Sequence, residues 1–488
     1  MKTRFTLGVL ITLLALVLGL TTASAHDPVL GVEPAIVMDT VAPGGSIQVG
    51  KTIHTPEIPP KPDIYFLADT TGSMDPVILA VQTDAAAVLA AVAAVATDER
   101  FGAGDYKDFP FDIYAFNNAA PIPAADDGGA AASAAIALWA AVGGGDGSEG
   151  QFYAIHQLAA HGVASFRAGS TPIVVWFGDF PAHDPVCAAI SGEVHDTTEA
   201  SLTAELIAAG IRVVAISTTT GAPLGLDDDP TALGFGGDYL GACGIEDGAP
   251  GQASRLAAAT SGDHLSGVGP GEISDAILEG LGNLPVKVSP LVGPCDPSLS
   301  VTFDIPDQTV TSGDDASFTE TINVAADAPQ GGTIHCTVTW LLDDQVVLDT
   351  LGDPDLRFVE EITINVPDVT PPTAACPEGV NPSGKNVPQA PGKGQNEDGF
   401  YELTASDNVD SDPEIFVGDT GSSFTAGPFP SGTNIKLVQA PGADPGVKPG
   451  PNEVDWMITL NGDAIVYAVD ASGNVSDTAS CLVPPPPK

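Results

Sequence analysis

Short apolar stretches alternate with alanine-rich stretches between residues 63 and 284, and this alternation constrains the fold more than any other feature of the chain. The apolar stretches have the length of strands and the alanine-rich stretches the length of helices. Residues 173–177 are apolar throughout, as a strand buried on both faces must be. The alternation predicts an α/β, doubly wound, Rossmann-like domain with a mostly parallel sheet. The predicted strands are 64–68, 113–116, 173–177 and 213–217, and the predicted helices are 77–95, 131–142, 200–209 and 252–260.

The rest of the chain has the pattern of β-structure. From about residue 285 to 367, polar and apolar residues alternate, as in Ser300-Val301-Thr302-Phe303-Asp304-Ile305, and residues 368–488 repeat this style with their own turns. Alternation with a period of two, interrupted by turns, is typical of β-sandwiches. We therefore predict a multidomain chain in which two all-β, immunoglobulin-like sandwiches accompany the α/β domain.

The N-terminus has the features of a secretory signal peptide. Lys2 and Arg4 precede an apolar run over residues 7–20, and the small residues Ala23 and Ala25 follow it. We predict a signal peptide over residues 1–25 with cleavage after Ala25; a retained membrane anchor is the alternative. We find no later transmembrane segment, so we expect a mature protein that is secreted and extracellular.

Six cysteines agree with export, because disulfides persist in oxidising compartments. Metal binding by cysteine is disfavoured, since no two of them have Cys-x-x-Cys spacing. Pairing of neighbours along the chain is one of fifteen arrangements, and we adopt it because it places one bridge in each domain. The expected pairs are Cys187 with Cys243, Cys295 with Cys336, and Cys376 with Cys481.

The charge of the chain excludes one class of partner. With 63 acidic against 16 basic residues, the formal net charge is −47. Nucleic acids are held through Lys and Arg, so a nucleic-acid partner is not expected, and anionic membranes are disfavoured for the same reason.

A metal site is indicated where the first predicted strand ends. Asp69, Thr71 and Ser73 stand two residues apart in the loop that follows it. A loop that leaves the carboxyl end of a parallel strand can aim alternate side chains at one point, and oxygen ligands suit a hard divalent ion such as Mg²⁺. The alternative is that these residues form an ordinary acidic turn.

This run resembles the von Willebrand factor type A (VWA) family, whose metal-ion-dependent adhesion site (MIDAS) begins with Asp-x-Thr/Ser-x-Ser after the first strand. The resemblance covers residues 61–284 and implies two further ligands. Asp179, after the strand 173–177, is similar to the Asp of the third metal-binding loop. Glu149 lies in a glycine-rich acidic loop similar to that of integrin β chains. Most VWA members offer Thr in that loop; a third carboxylate here would shift the preference from Mg²⁺ toward Mn²⁺ or Ca²⁺.

The integrin likeness implies a second metal site at Asp108 and Asp146, with a pair of solvated loop acids as the alternative. A third cation site is not expected, because Pro76 and Val77 replace its acidic residues. We interpret His183 as a loop histidine bonded to backbone, with contact to a ligand or metal as the alternative. We interpret His156 as a surface or satisfied core residue.

The resemblance to integrin β chains also predicts how the N-terminal segment is used. In integrin β chains a VWA domain is inserted into a β-sandwich, so we expect residues 26–60, with an alternating strand at 46–55, to complete the sandwich of residues 285–367. A loosely packed N-terminal arm is the alternative. Residues 368–488 resemble bacterial immunoglobulin-like and HYR modules in the motifs at 404–410 and 468–476. Four acidic residues there could bind Ca²⁺, although solvated loops explain them too: Asp407, Asp410, Asp412 and Asp470.

These observations predict an adhesion or ligand-binding protein and not an enzyme. An open position on the metal ion would accept an exposed Asp or Glu of an extracellular protein partner. A calcium-stabilised structural scaffold is the alternative. A metal-dependent hydrolase is less well supported, because the sequence lacks a P-loop, a Gly-x-Ser-x-Gly elbow and a His-Glu-x-x-His motif.

Overall fold

A computed structural model of the chain describes residues 30–96, 98–108, 112–233, 237–349, 352–379, 381–382 and 398–484. The predicted signal peptide, residues 1–25, lies outside the described residues, as do residues 26–29 of the N-terminal segment.

The described chain starts with three strands, and an α/β region follows. The N-terminal strands are β1 (Gly31–Glu33), β2 (Ile36–Thr40) and β3 (Ser46–His54). The α/β strands are β4 (Pro62–Asp69), β5 (Arg100–Tyr106), β6 (Phe116–Ala120), β7 (Thr171–Gly178), β8 (Arg212–Thr218) and β9 (Asp263–Val268). The helices are α1 (Asp75–Val95), α2 (Ala130–Ile136), α3 (Gln151–Ala159), α4 (Ala188–Ser191), α5 (Glu199–Ala209), α6 (Gly237–Cys243), α7 (Gln252–Ala259) and α8 (Ile273–Gly282).

The α/β strands form one sheet in the order β6-β5-β4-β7-β8-β9. All neighbours are parallel except β6, which runs antiparallel to β5. The strand order reverses between β4 and β7, which makes the sheet doubly wound and opens a crevice at the carboxyl ends of those two strands. The prediction of a mixed α/β architecture with a parallel-rich sheet is confirmed.

Both faces of this sheet are covered. On β7, Trp176 and Phe177 are both fully buried and belong to hydrophobic clusters on opposite faces. Helix α1 packs on the face that contains Phe177, with Val77 and Val92 fully buried. By length and composition alone, the helical stretch Gly72–Val95 is also apolar enough to cross a membrane. In the structure its apolar face belongs to the core of the domain.

Two predicted elements differ in the structure. The strand expected at 113–116 starts only at Phe116, and Ile113 is exposed. The helix expected at 131–142 ends at Ile136. Beyond it the chain makes tertiary hydrogen bonds, from Val142 N to Thr70 O (3.1 Å) and from Gly72 N to Gly143 O (3.0 Å). These bonds hold the segment beside the loop after β4, which a continued helix could not reach.

The first sandwich uses strands from both sides of the α/β region. Its later strands are β10 (Pro285–Val292), β11 (Leu299–Phe303), β12 (Gln308–Thr311), β13 (Asp315–Val324), β14 (Gly332–Leu342), β15 (Gln345–Val346) and β16 (Val359–Val366). One sheet has the order β1-β3-β13-β11 and the other β12-β10-β14-β16-β2, with β15 on β14. Strand β3 pairs with β13 along its whole length, and β2 runs parallel to β16. The α/β region is therefore an insertion into this sandwich.

A second sandwich follows. Its strands are β17 (Thr373–Ala375), β18 (Phe400–Ser406), β19 (Glu414–Asp419), β20 (Thr425–Phe429), β21 (Thr433–Gln439), β22 (Gly446–Pro449), β23 (Trp456–Leu460), β24 (Ala464–Val469) and β25 (Ala479–Cys481). They form the sheets β17-β18-β21-β23-β22 and β20-β19-β24-β25. Each of the three units contains one disulfide: Cys187–Cys243, Cys295–Cys336 and Cys376–Cys481. Three disulfides are typical of an extracellular protein.

The packing of β3 can be tested with a matched pair of substitutions. Ile53 on β3 is fully buried in the first sandwich, whereas Met38 on β2 is 71% exposed. We expect Ile53→Ala to lower the free energy of unfolding by about 2–5 kcal/mol, because it leaves a cavity in the core. Met38→Ala should change it by no more than about 0.5 kcal/mol. Calorimetric unfolding of the two variants measures the difference, and equal small effects would indicate a loosely packed N-terminal arm.

Candidate metal centre

The candidate centre lies in the crevice at the reversal of strand order. Asp69 is the last residue of β4, and the chain then passes through a 3-10 turn, Gly72–Met74, into α1. Asp179 directly follows β7. Because β4 and β7 are parallel neighbours, both carboxylates are at the same edge of the sheet.

Four of the predicted ligands form one hydrogen-bonded cluster. Asp69 Oδ1 accepts hydrogen bonds from the backbone N (2.8 Å) and Oγ1 (2.7 Å) of Thr71. Thr71 Oγ1 lies 3.5 Å from Ser73 Oγ, which donates to Asp179 Oδ1 at 3.1 Å. The side chains that stand two apart in the first loop therefore face one point together with the carboxylate after β7.

The fifth predicted ligand, Glu149, is held against the loop that carries Asp179. Its backbone N donates to Pro181 O (3.0 Å), and its backbone O accepts from His183 N (3.1 Å). The residue is almost fully buried. Burial raises the pKa of the Glu149 carboxyl well above its ordinary value, and the nearby Asp69 and Asp108 carboxylates raise it further, against the opposing effect of a hydrogen bond from Thr71.

The cluster holds more buried negative charge than its surroundings balance. Burial, followed by the charge of Asp179, raises the pKa of Asp69 to about 8. Burial also raises the pKa of Asp179. Within the described residues, the buried oxygens Asp69 Oδ2 and Glu149 Oε2 have no hydrogen-bond partner. A divalent cation would supply both the missing charge and the missing partner, and a donor set made only of oxygens suits Mg²⁺, Mn²⁺ or Ca²⁺.

Small residues keep the rim of the cluster open. Gly72 and Gly144 are exposed, and Ser73 is half-buried. A Cβ atom on Gly144 would lie 3.1 Å from Thr71 Cβ and 3.5 Å from Glu149 Oε1. A Cβ atom on Gly221 would lie only 2.6 Å from Asp179 Oδ2. Side chains at these positions would cover or displace the carboxylates. Asp69, Glu149 and Asp179 are themselves almost fully buried, so the half-buried Ser73 is the predicted ligand at the rim.

Two supporting residues were missed by the sequence analysis. Thr220 Oγ1 donates to Asp179 Oδ2 at 2.9 Å; its position just after β8 at the same sheet edge is a signal that could have identified it. The buried Lys107 ammonium donates to Thr70 O, to Ala140 O (3.2 Å) and to Val142 O (2.6 Å). Lys107 thereby connects the loop after β4 to the segment after α2. No local sequence pattern predicts this role.

The predicted second site brings Asp108 and Asp146 together with His183, a group of three that could hold a metal ion. Asp108 and Asp146 do lie together, but His183 lies between them: its Nε2 is 3.1 Å from Asp108 Oδ1 and 3.4 Å from Asp146 Oδ1. Its Nδ1 is 2.7 Å from Glu246 Oε2, and its ring stacks on Tyr239. Burial alone would lower the pKa of His183, but hydrogen bonds to the three carboxylates raise it to about 10. The side chain of His183 is fully buried and contacts three carboxylates. The interpretation of His183 as a backbone-bonded loop residue is therefore wrong.

The remaining candidate residues lie in different parts of the structure. His156 lies near the surface, 2.7 Å from Glu205 and 3.7 Å from Glu193. In the second sandwich, Asp407 and Asp470 form a close cluster with Asp368, a residue that the sequence analysis missed. Of the other two acids of that region, Asp410 accepts from Ala471 N of a distant loop, and Asp412 N donates to Asp410 within a local turn.

No protein-family model matches this sequence, and no curated protein is similar to it. Among solved structures, the chain is similar to a von Willebrand factor type A protein from Catenulispora acidiphila, with 11% identity and a TM-score of 0.32, over 68% of this chain and 72% of that one. It is also similar to proximal thread matrix protein 1 from the mussel byssus, with 13% identity and a TM-score of 0.25, over 36% of this chain and 39% of that one. Both TM-scores are low, so the assignment of the metal centre depends on its own geometry.

The raised pKa of Asp69 predicts how the metal-free protein responds to pH. Its ordinary pKa is 3.8 and its folded-state pKa is about 8, so its contribution to stability is present below 3.8 and is lost as the pH rises through 8. In chelator, the melting temperature should fall over this range, and less steeply for Asp69→Asn. Parallel slopes for the two proteins would contradict this prediction.

His183 should contribute strongly to stability. His183→Ala leaves Asp108, Asp146 and Glu246 without their cation, so we expect the free energy of unfolding to fall by about 3–5 kcal/mol. The control His156→Ala, near the surface, should cost less than about 1 kcal/mol. Because its folded-state pKa of about 10 exceeds the ordinary 6.5, the contribution of His183 is complete below pH 6.5 and is lost toward pH 10. Urea unfolding at several pH values measures it; a pH-independent cost would refute the charged imidazolium.

Proposed function

We propose that this protein is a secreted adhesion or ligand-binding protein whose α/β region is a VWA-type domain with one divalent metal ion. The ion would be held by five residues: Asp69, Thr71, Ser73, Glu149 and Asp179. The observation that carries this proposal is a pair of buried carboxylate oxygens, on Asp69 and Glu149, that have no hydrogen-bond partner among the described residues. They belong to a group of three carboxylates at the reversal of strand order.

The surroundings indicate how a partner would bind. When bound, the ion supplies a concentrated positive charge that can accept an exposed Asp or Glu carboxylate of a protein partner. The glycine-lined side near Ser73 is where that carboxylate would approach, because Gly72 and Gly144 are exposed there. The third carboxylate, Glu149, adds charge for the ion to balance and favours Mn²⁺ or Ca²⁺ over Mg²⁺.

The charged groups beside the centre favour binding over catalysis. A metal-dependent hydrolase needs an acid or base that can reach the substrate. Lys107 already donates to three backbone carbonyls, and His183 is held by three carboxylates. Both groups therefore have structural partners, and we propose that the protein is not an enzyme.

One observation favours a second candidate function, a calcium-stabilised scaffold. Asp368 lies between the two sandwiches, after β16, and offers an oxygen close to those of Asp407 and Asp470. Asp368 is 8% exposed, and its Oδ2, like Asp407 Oδ1, has no partner among the described residues. A calcium ion at this cluster would stiffen the connection between the sandwiches.

Calorimetric titration of Mg²⁺, Mn²⁺ and Ca²⁺ into the chelator-treated protein tests the centre. We expect Asp69→Ala and Asp179→Ala each to abolish binding at this centre, because each removes a carboxylate from the shell. Asp126→Ala removes an exposed acid elsewhere and should leave binding unchanged. Asp368→Asn should remove only binding at the sandwich cluster, so its titration distinguishes that ion from the ion of the α/β region. Unchanged titrations of both Asp69→Ala and Asp179→Ala would rule out the centre.

An open coordination position distinguishes adhesion from a purely structural ion. Water proton relaxation in the Mn²⁺-loaded protein should show a rapidly exchanging bound water, because the half-buried Ser73 and the exposed Gly72 and Gly144 form the rim of the centre. Acetate, as a carboxylate probe, should displace that water, whereas the uncharged analogue acetamide should not. A Mn²⁺ ion without exchangeable water would support the scaffold instead.

A further inference from the structure

Three charged residues lie at core positions of the first sandwich. Lys51 on β3, Glu320 on β13 and Glu360 on β16 have side chains with no exposed surface. Each points inward with the apolar residues of its strand, as Lys51 does beside Ile53 and Glu360 beside Ile362. Lys and Glu are rarely fully buried, so three of them in one core require a physical reason.

The three groups meet between the two sheets. Lys51 Nζ contacts Glu360 Oε1, lies 3.5 Å from Glu320 Oε2, and donates to Pro34 O at 2.9 Å. Among the described residues outside this trio, no hydrogen-bond donor reaches any of the four carboxylate oxygens, and the two carboxyl groups lie within hydrogen-bonding reach of each other. One ammonium group therefore serves two buried carboxyl groups, and it is closer to Glu360 than to Glu320.

The second carboxyl group is suited to carry a proton. Burial, followed by the neighbouring charge of Glu360, raises the pKa of Glu320 to about 8. A carboxyl group with a raised pKa thus stands beside a lysine that touches another carboxyl group. An amine, a carboxyl group and a proton-transfer group in contact are the components of an amide condensation.

We propose that Lys51 and Glu360 become joined by an intramolecular amide bond, an isopeptide, with Glu320 as the proton-transfer group. One proton moves from the Lys51 ammonium to Glu360, which gives a neutral amine and a carboxylic acid. Lys51 Nζ then attacks Glu360 Cδ, the Cδ–O bond breaks, and Glu320 carries a second proton from the nitrogen to the departing oxygen. One water molecule is released, Glu320 returns to its initial state, and no oxidant, reductant or cofactor takes part.

The sandwich favours this condensation in two ways. Folding holds the reacting atoms in contact, which gives an intramolecular reaction a large advantage over the same reaction in solution. The product replaces a buried ion pair by a neutral amide, so the desolvation cost of the two charges disappears. Large apolar neighbours such as Phe318 and Trp340 belong to the same core and exclude bulk water.

The bond would change how the whole chain carries force. It would join β3 of one sheet to β16 of the other, and these strands lie on opposite sides of the inserted α/β region in sequence. Tension applied between the N-terminal strands and the second sandwich would then pass through the isopeptide. The α/β region would remain outside the stretched path.

Mass spectrometry of the reduced, alkylated full-length protein tests the proposal. We expect a cross-linked peptide that contains Lys51 and Glu360 and is lighter by one water than its two parts, with trypsin unable to cleave after Lys51. Lys51→Arg keeps the positive charge but cannot form the amide, and should lack the cross-link. Glu320→Gln keeps both reacting groups and should also lack it, or form it far more slowly.

Mass spectrometry of the native protein alone decides whether the amide bond forms. If its Lys51 and Glu360 peptides appear only separately, with cleavage after Lys51, the proposal is wrong and the three residues form a buried ion network. If Glu320→Gln forms the cross-link as completely and as fast as the native protein, the role of Glu320 is overturned while the bond stands. Circular dichroism of both variants shows whether a lost cross-link reflects lost chemistry or lost folding.

Discussion

Groups of buried carboxylates occur in several places in this structure. Each such group needs a nearby positive charge, because burying negative charge without one is costly. The chain has about four acidic residues for each basic one, so cations are scarce. Around Asp108, Asp146 and Glu246 the facing group is His183, whose pKa these carboxylates raise. Between the sheets of the first sandwich, Lys51 faces Glu320 and Glu360. At Asp69, Glu149 and Asp179 no Lys, Arg or His of the described residues forms an ion pair with the carboxylates, and this deficit makes the centre suitable for a divalent ion.

The parallel sheet explains why this uncompensated negative charge lies at the carboxyl edge of the sheet. The reversal of strand order leaves a crevice at the ends of β4 and β7, and the loops that follow them carry Asp69 and Asp179. Lys107 fixes the first loop through backbone carbonyls, while Thr220 and Ser73 orient Asp179. Glycines at the rim keep side chains away from the carboxylates. The candidate ligand atoms are thus held in place by rigid elements, which is the condition for a selective site.

The insertion of the α/β region into the first sandwich restricts how this region can be oriented relative to the sandwich. Strand β3 precedes β4 closely, and β10 follows α8 closely, so both ends of the α/β region leave from one sandwich. Arg212 on β8 strengthens this junction: it donates to Pro285 O at 2.7 Å and pairs with Asp343 at 3.0 Å. Two connections and a polar contact restrict the orientation of the α/β region more than a single linker would.

The sequence by itself determined the α/β and all-β division, and it identified the five candidate ligands, because hydrophobic period and strand-end loops are local properties of the chain. The early end of α2 was not predictable, since its cause is a set of hydrogen bonds to the loop after β4. The environment of His183 was not predictable either: Asp108, Asp146 and Glu246 come from three distant loops, and only folding makes them neighbours. The same holds for Lys51, Glu320 and Glu360. The alternation of each strand shows that these residues face inward, but only the tertiary structure decided that they meet, because the pairing of strands across the inserted region fixes which side chains share the core.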